Sequence, residues 1–482
     1  MKIRLLVIAI LLANVAELSA QQAAAPATKP RMGIAEHAVT LHGLQLRYTS
    51  RVKEEFLYGA DPLKPFCSII STSYVLHEPR PAENRPVVFI FNGGPGASSS
   101  PLHMGAFGPY RLQWDGKAHV LRDNPHALLD VADLVFVDPP GTGFTRVFDA
   151  DSVRRFWEVK GDAAMMVDLI TRWLKENGRQ HVPVYLCGES YGTMRAATVM
   201  SLAGDLPLKG VIMLSAFLDM TALTDAPGND MPYVLNLPTM ACLAVFHGKA
   251  PAKGRSVEQV YSDAVDFAAR EYAPMLFRGQ HASMGEKKAF AKKLSSVTGL
   301  PDTFLLRRDL RVNIHDFELG LLADKGLRIG QLNGQVTGPL HAPAARPPFD
   351  DPSFVSTPSN KQQVADYFRT KLQFSDTGTY RTINFEVNSK WNWSSLDEEY
   401  GGYRTVAPYA AQALHARSDL RLMVAGGFYD LATPLAAAPF ALDHASAPAS
   451  RITYARFRTG HSIFENEDEL IRLGEMVRAF LK

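Results

Sequence analysis

The sequence has 482 residues, enough to bury a large core in one big domain or in a domain with an insertion. Apolar residues make up 46% and charged residues 21%, an ordinary globular balance. A net charge of +2 provides no broad field for steering nucleic acid or an anionic membrane, so function must come from local sites.

The chain opens with basic Met1-Lys2-Ile3-Arg4, then an uninterrupted apolar run from Leu5 to Ala13. Ser19-Ala20 and a polar, Ala/Pro-rich stretch follow. This order reads as a secretory signal peptide (1–20) before a linker (21–39), with cleavage after Ala20 or within Ala23–Ala25. The run is far short of the roughly 20 apolar residues that span a bilayer, so no stable membrane insertion is expected after cleavage.

Residues 40–48 and 54–57 alternate polar and apolar like an antiparallel hairpin, which 68–77 would extend. Short apolar runs without alternation follow at 86–91, 133–137, 182–187 and 210–215. Such runs fit strands buried on both faces of a parallel sheet. Helical patterns at 155–177 and 193–204 lie between them, which predicts an α/β fold. From 221 to about 403 the rhythm is replaced by helical stretches at 256–278, 285–296 and 361–372 and a proline-rich loop at 338–352. Alternation resumes with a helix at 406–417, strands at 420–425 and 452–457, and a helix at 467–481. The expected organisation is a core at 40–220 and 405–482, interrupted by a mainly helical cap at 221–404.

Gly188-Glu189-Ser190-Tyr191-Gly192 lies between a predicted strand and a predicted helix, the context of the nucleophile elbow in the α/β-hydrolase fold. A serine hydroxyl needs a base, and the base needs an orienting carboxylate. The loops after the last two strands supply Asp430 and His461 in the chain order of that fold. Asp419 precedes its strand, while Asp443 and His444 lie in a helical stretch, and all three read as solvated. Asn92-Gly93-Gly94-Pro95-Gly96 follows an early strand, and its glycines leave backbone free to approach a ligand. The oxyanion hole is assigned to the N–H groups of Gly94 and Tyr191.

Asn92–Ser98, His103–Arg111, Val137–Thr145, Gly188–Gly192 and Gly460-His461 together resemble the serine carboxypeptidases, and Gly427–Asp430 is similar to the aspartate loop of bacterial members. The resemblance implies an α/β-hydrolase that removes C-terminal residues from peptides without metal or cofactor. It also implies that Asn92 and Glu189 bind the substrate's free carboxylate. The sequence departs from the family at Ala106, where eukaryotic members carry a second glutamate. It departs again at Ile90, in place of a tryptophan, and at Ser462-Ile463-Phe464. An esterase or acyltransferase on the same triad therefore stays open, as does a catalytically silent scaffold.

Three cysteines leave one disulfide open, with Cys67 and Cys242 the favoured pair and Cys187 read as a core residue. The sequon Asn392-Trp393-Ser394 is read as unused, because the leader looks bacterial and places the protein in a periplasmic or extracellular setting. The aromatics of 391–403 are read as packing between cap and core, and the basic run Arg307–Arg311 as a solvated helix face.

Overall fold

The structure, a computed structural model, describes residues 29–77, 84–341, 350–355, 361–376, 378–397 and 399–482. The expected signal peptide, its cleavage sites and residues 342–349 of the proline-rich loop lie outside the described residues.

Thirteen strands occur among the described residues. They are β1 (Met32–Leu41), β2 (Leu44–Tyr58), β3 (Pro65–Leu76), β4 (Val87–Phe91), β5 (Tyr110–Trp114), β6 (His119–Asp123), β7 (Asp133–Asp138), β8 (Val184–Glu189), β9 (Leu208–Leu214), β10 (Leu327–Ile329), β11 (Thr337–Pro339), β12 (Arg421–Gly427) and β13 (Ile452–Phe457). Nine form one sheet in the order β1-β2-β3-β7-β4-β8-β9-β12-β13. The first three pairings are antiparallel and the rest parallel. This is the α/β-hydrolase architecture, a mostly parallel sheet flanked by helices.

The pleat divides the core. Val87, Phe89 and Phe91 of β4 join one apolar cluster with helices Val159–Glu176 and Tyr191–Leu202, while Val88 and Ile90 join another on the opposite face. Every residue of β4, β7 and β8 is buried, which explains their unbroken apolar runs. A third cluster is built by helices between β9 and β12, including Met231–Phe246, Val257–Phe267 and Met284–Thr298. Phe428, Tyr429 and Leu431 belong to this cluster, so the loop after β12 is packed into it.

Several expectations are corrected. The last part of the 21–39 linker is strand β1, which pairs with β2 from Met32↔Lys53 to Leu41↔Leu44, so the hairpin starts earlier than its apolar alternation suggests. The Arg307–Arg311 run is no helix face. The helix ends at Arg307, Leu310 is buried, and Arg311 clasps Asp230 at 2.7 and 2.9 Å.

The favoured disulfide is absent as well. All three thiols are free and buried, each in a different apolar cluster, with Cys67 under β4, Cys187 on the opposite face and Cys242 among the helices. Burial raises the pKa of each and so suppresses the reactive thiolate. A thiol reagent should find none of the three cysteines in the folded protein and all three after unfolding. A count of one after unfolding without reductant would restore the bridge.

Candidate active site

Ser190 occupies the turn between β8 and helix Tyr191–Leu202 at φ 59° and ψ −129°. A serine pays strain for this positive φ, which persists only where surrounding contacts enforce it. The Ser190 N–H donates to Leu214 O at the end of β9 (3.0 Å), and Ser190 O accepts from Thr193 N (2.8 Å) and Thr193 Oγ1 (2.7 Å). Glycines make the turn possible by close approach. A Cβ on Gly188 would lie 2.3 Å from Gly192 O, and one on Gly93 would lie 2.4 Å from Tyr191 N. The glycine-rich loop and the elbow therefore touch backbone to backbone. Ser190 itself is partly exposed.

Asp430 and His461 are brought together. His461 Nδ1 and Asp430 Oδ2 are 2.8 Å apart, and the carboxylate has no solvent exposure. Asp430 also accepts from the N–H groups of Ala432 (2.8 Å) and Thr433 (3.0 Å) and from Thr433 Oγ1 (2.5 Å). Burial alone would lower the imidazole pKa, but Asp430, with Glu189 and Glu465, raises it to about 9. Nδ1 is thereby engaged, which leaves Nε2 as the nitrogen to serve a hydroxyl. Among the described hydrogen bonds, none runs from Ser190 Oγ to that ring, and catalytic contacts often tighten only with substrate bound.

Two segments hold these loops in place. Gly427 and Gly460 lie back to back, where a Cβ on Gly427 would stand 2.2 Å from the carbonyls of Thr459 and Gly460. The loop around Leu332 then ties both strands' ends down. His461 N donates to Leu332 O (2.7 Å) and Leu431 N to Gln331 O (3.0 Å). Thr433, Leu332 and Asn333 have no sequence signal, because each acts through backbone or a single short side chain. The rival candidates have other partners: Asp419 pairs with Lys209, and His444 meets Phe440 O of its own helix (2.8 Å).

Glu189 is almost fully buried beside the elbow. Asn92 Nδ2 donates to Glu189 Oε2, while Oε1 is buried without a partner. Burial raises the Glu189 pKa to about 7. Glu465 and Asp430 act in the same direction, against His461 and the Asn92 hydrogen bond. Asn92 is fixed by Leu102 N donating to Oδ1 (3.1 Å) and by Arg195 Nη1 donating to its carbonyl (2.7 Å). Ala106 and Ile90 are both fully buried in apolar surroundings and bring no polar group to the site.

Behind the elbow, Arg195 Nε donates to Asp162 Oδ2 (2.7 Å), which also accepts from the Tyr191 hydroxyl (2.9 Å). The guanidinium lies over the rings of Phe91 and Tyr191, about 5.3 and 5.2 Å from their centroids. Trp391 and Trp393 meet Tyr191 edge-on at 4.9 and 5.7 Å, so this stretch packs against the core. The Val137–Thr145 motif is also structural. Asp138 accepts from Ser99 N (2.8 Å), Ser99 Oγ (2.7 Å) and Tyr380 OH (2.9 Å), bracing the glycine-rich loop. Among the described residues, no group of three or more His, Cys, Asp or Glu could hold a metal ion, and no helix is long and apolar enough to cross a membrane.

Sheet topology and the strand–elbow–helix turn define the class as an α/β-hydrolase. Residues 73–202 match the peptidase S10 family, the serine carboxypeptidases. The chain is 32% identical over 131 residues to serine carboxypeptidase-like 38 of Arabidopsis thaliana, covering 24% of this chain and 25% of that protein. It is 38% identical over 112 residues to the pheromone-processing carboxypeptidase KEX1 of Leptosphaeria maculans, covering 23% and 16%. The matched segment thus spans a quarter or less of these relatives. The fold is similar to that of Kex1(delta)p, a prohormone-processing carboxypeptidase from Saccharomyces cerevisiae, with a TM-score of 0.54 over 89% of this chain and 91% of that one, at 14% identity. Within the α/β-hydrolases, residues 73–202 are therefore similar to the serine carboxypeptidases.

Replacing Arg195 by alanine would leave Asp162 buried without its cation and should cost about 3–5 kcal/mol of stability. Urea unfolding checks this, and a loss under about 1 kcal/mol would mean the pair is dispensable.

Proposed function

We propose that the protein is an exported serine carboxypeptidase, acting in the periplasm or outside the cell, with Ser190, Asp430 and His461 as its triad. The observation that carries this reading is the 2.8 Å contact between His461 Nδ1 and buried Asp430, in a chain that also holds Ser190 on a strained elbow. Residues 1–20 would be the signal peptide, and 221–404 a cap on the core.

In this mechanism Ser190 Oγ attacks the scissile carbonyl carbon while its proton passes to His461 Nε2. Asp430 holds the imidazole in the required tautomer and stabilises the imidazolium. The N–H groups of Gly94 and Tyr191 receive the oxyanion; the latter opens a helix, where N–H groups lack intrahelical partners. The C–N bond then breaks as the imidazolium protonates the leaving amine. Water, deprotonated by the same histidine, releases the acyl group from Ser190. The chemistry requires no metal or organic cofactor.

Asn92 and Glu189 would receive the substrate's free carboxylate. A protonated Glu189 can donate a hydrogen bond to that anion, whereas an ionised one repels it. Glu189 and His461 also oppose each other: a proton on Glu189 removes an anion that favours the imidazolium, so the neutral base becomes easier to reach. The first effect favours pH below about 7, while the second only offsets part of the loss of neutral His461 that acid itself causes. A second reading, an esterase or acyltransferase on the same triad, is favoured by the apolar burial of Ala106 and Ile90.

A fluorophosphonate should label Ser190, and failure to do so would indicate a silent scaffold. A blocked dipeptide with a free C-terminus should be hydrolysed far faster than its C-terminal amide, and equal rates would favour the esterase reading. Activity on the free acid should fall as pH rises through about 7. Glu189→Gln should move that alkaline limb upward, and an unchanged pH profile would refute the role of Glu189.

A further inference from the structure

Ser215 lies one residue beyond the end of β9, fully buried, at φ 48°. A residue with a Cβ is strained in this left-handed region, and such strain persists only where surrounding contacts enforce it. Two contacts do so here. The Ser215 N–H donates to Ala425 O of β12 (2.7 Å), and the hydroxyl donates to His461 O (2.5 Å), in the loop after β13. Among the described residues, no other hydrogen bond reaches that carbonyl. The His461 N–H is held separately, by Leu332 O (2.7 Å).

The residues on either side of Ser215 hold the elbow. Leu214 O accepts the Ser190 N–H (3.0 Å). Phe217 N donates to Thr193 Oγ1 (2.8 Å), and that hydroxyl donates to Ser190 O (2.7 Å). Residues 214–217 therefore grip the Ser190 backbone at its N–H directly and at its carbonyl through Thr193, and they grip the His461 backbone at its carbonyl. Asp430 orients the imidazole through Nδ1, but the distance of the ring from Ser190 depends on where the His461 backbone stands. Proton transfer from Oγ to Nε2 needs the two atoms within about 3 Å. A misplacement of about 1 Å can cost a hundredfold in rate.

We infer that Ser215 is a positioning residue for the reaction: its hydroxyl couples the loop of the base to the nucleophile elbow and sets the separation of His461 from Ser190. This inference rests on the triad reading and holds for peptide and ester substrates alike. Ser215 acts through two backbones, not on the reacting atoms.

Ser215→Ala and Ser215→Gly both remove the hydroxyl, and glycine also releases the strain of the positive φ. Each full-length variant is compared with the unaltered protein in fluorophosphonate inactivation, in hydrolysis of a blocked dipeptide acid and in urea unfolding. Both substitutions should lower the maximal inactivation rate and kcat roughly ten- to a hundredfold, with KM nearly unchanged. The pH profile should keep its position while its height falls, because the contact between Asp430 and the imidazole is left intact. Full activity in Ser215→Ala would overturn the role and credit the backbone conformation instead. Full activity in Ser215→Gly would overturn it too, since the hydroxyl would then be dispensable. A rise in KM without a fall in kcat, or a displaced pH profile, would also count against it. If one variant does not fold, the other decides, and unfolding of both would make Ser215 a purely structural residue. Failure of the triad reading shows separately, as an unaltered protein that the fluorophosphonate does not label at Ser190.

Discussion

The carboxylate of Asp430 meets the imidazole of His461 only because two strand-end loops are pressed together, and the means is backbone rather than side chain. Strands β12 and β13 run parallel, and their pairing continues past the sheet as Phe428 N donates to Phe457 O (2.9 Å) and Tyr429 N to Thr459 O (3.0 Å). Gly427 and Gly460 remove the side chains that would separate the loops. Asp430 then sits fully desolvated with its oxygens met by two N–H groups, a threonine hydroxyl and the imidazole. A buried carboxylate is tolerated when it is this well satisfied, and such an anion in turn polarises the ring.

The elbow is fixed by a different device. Its strain is confined to Ser190, and the neighbouring contacts are backbone approaches that only glycine permits. Beneath it, Arg195 links three elements through charge: Asp162 on one helix, the Tyr191 ring on another, and the carbonyl of Asn92 at the end of β4. Position 191 and the glycine-rich loop are therefore braced by one cation. A buried ion pair gains little net stability over an apolar filling, but it does fix geometry, and here it borders both proposed halves of an oxyanion hole.

Legibility in the sequence follows burial. Strands β4, β7, β8 and β9 were readable because both faces are covered and the runs are unbroken. The loops that carry Asp430 and His461 were readable because they follow the last two strands of the sheet. Strand β1 was not, since apolar Met32 and Ile34 face outward and polar His37 takes an inward position, which breaks the apolar alternation. The middle of β2, residues 49–53, was masked because its inward Ser50 is polar and Val52 is the one apolar side chain there. The β5–β6 hairpin and helix Met231–Phe246 were also missed; the helix is apolar nearly all round, so periodicity gives no face. The cysteines misled for a related reason. Spacing carries no information about which of three separate cores each thiol enters.

The segment between β9 and β12 shapes the site more than its weak sequence signal suggests. Its helices enclose Phe428 and Leu431 on either side of the Asp430 loop, its Gln331 and Leu332 carbonyls anchor residues 431 and 461, and its Gly334 N–H donates to Tyr429 O (2.9 Å). Replacing this segment by another of different length would therefore do more than open or close a pocket. It would move Asp430 and His461 together. The elbow and glycine-rich loop, braced by Arg195 of helix Tyr191–Leu202 and Asp138 at the end of β7, would stay where they are. Chemistry common to the fold can thus persist while the surroundings of the substrate's end change. The fixed part of that division is the strained serine turn, and the adjustable part is the loop that grips His461 from outside.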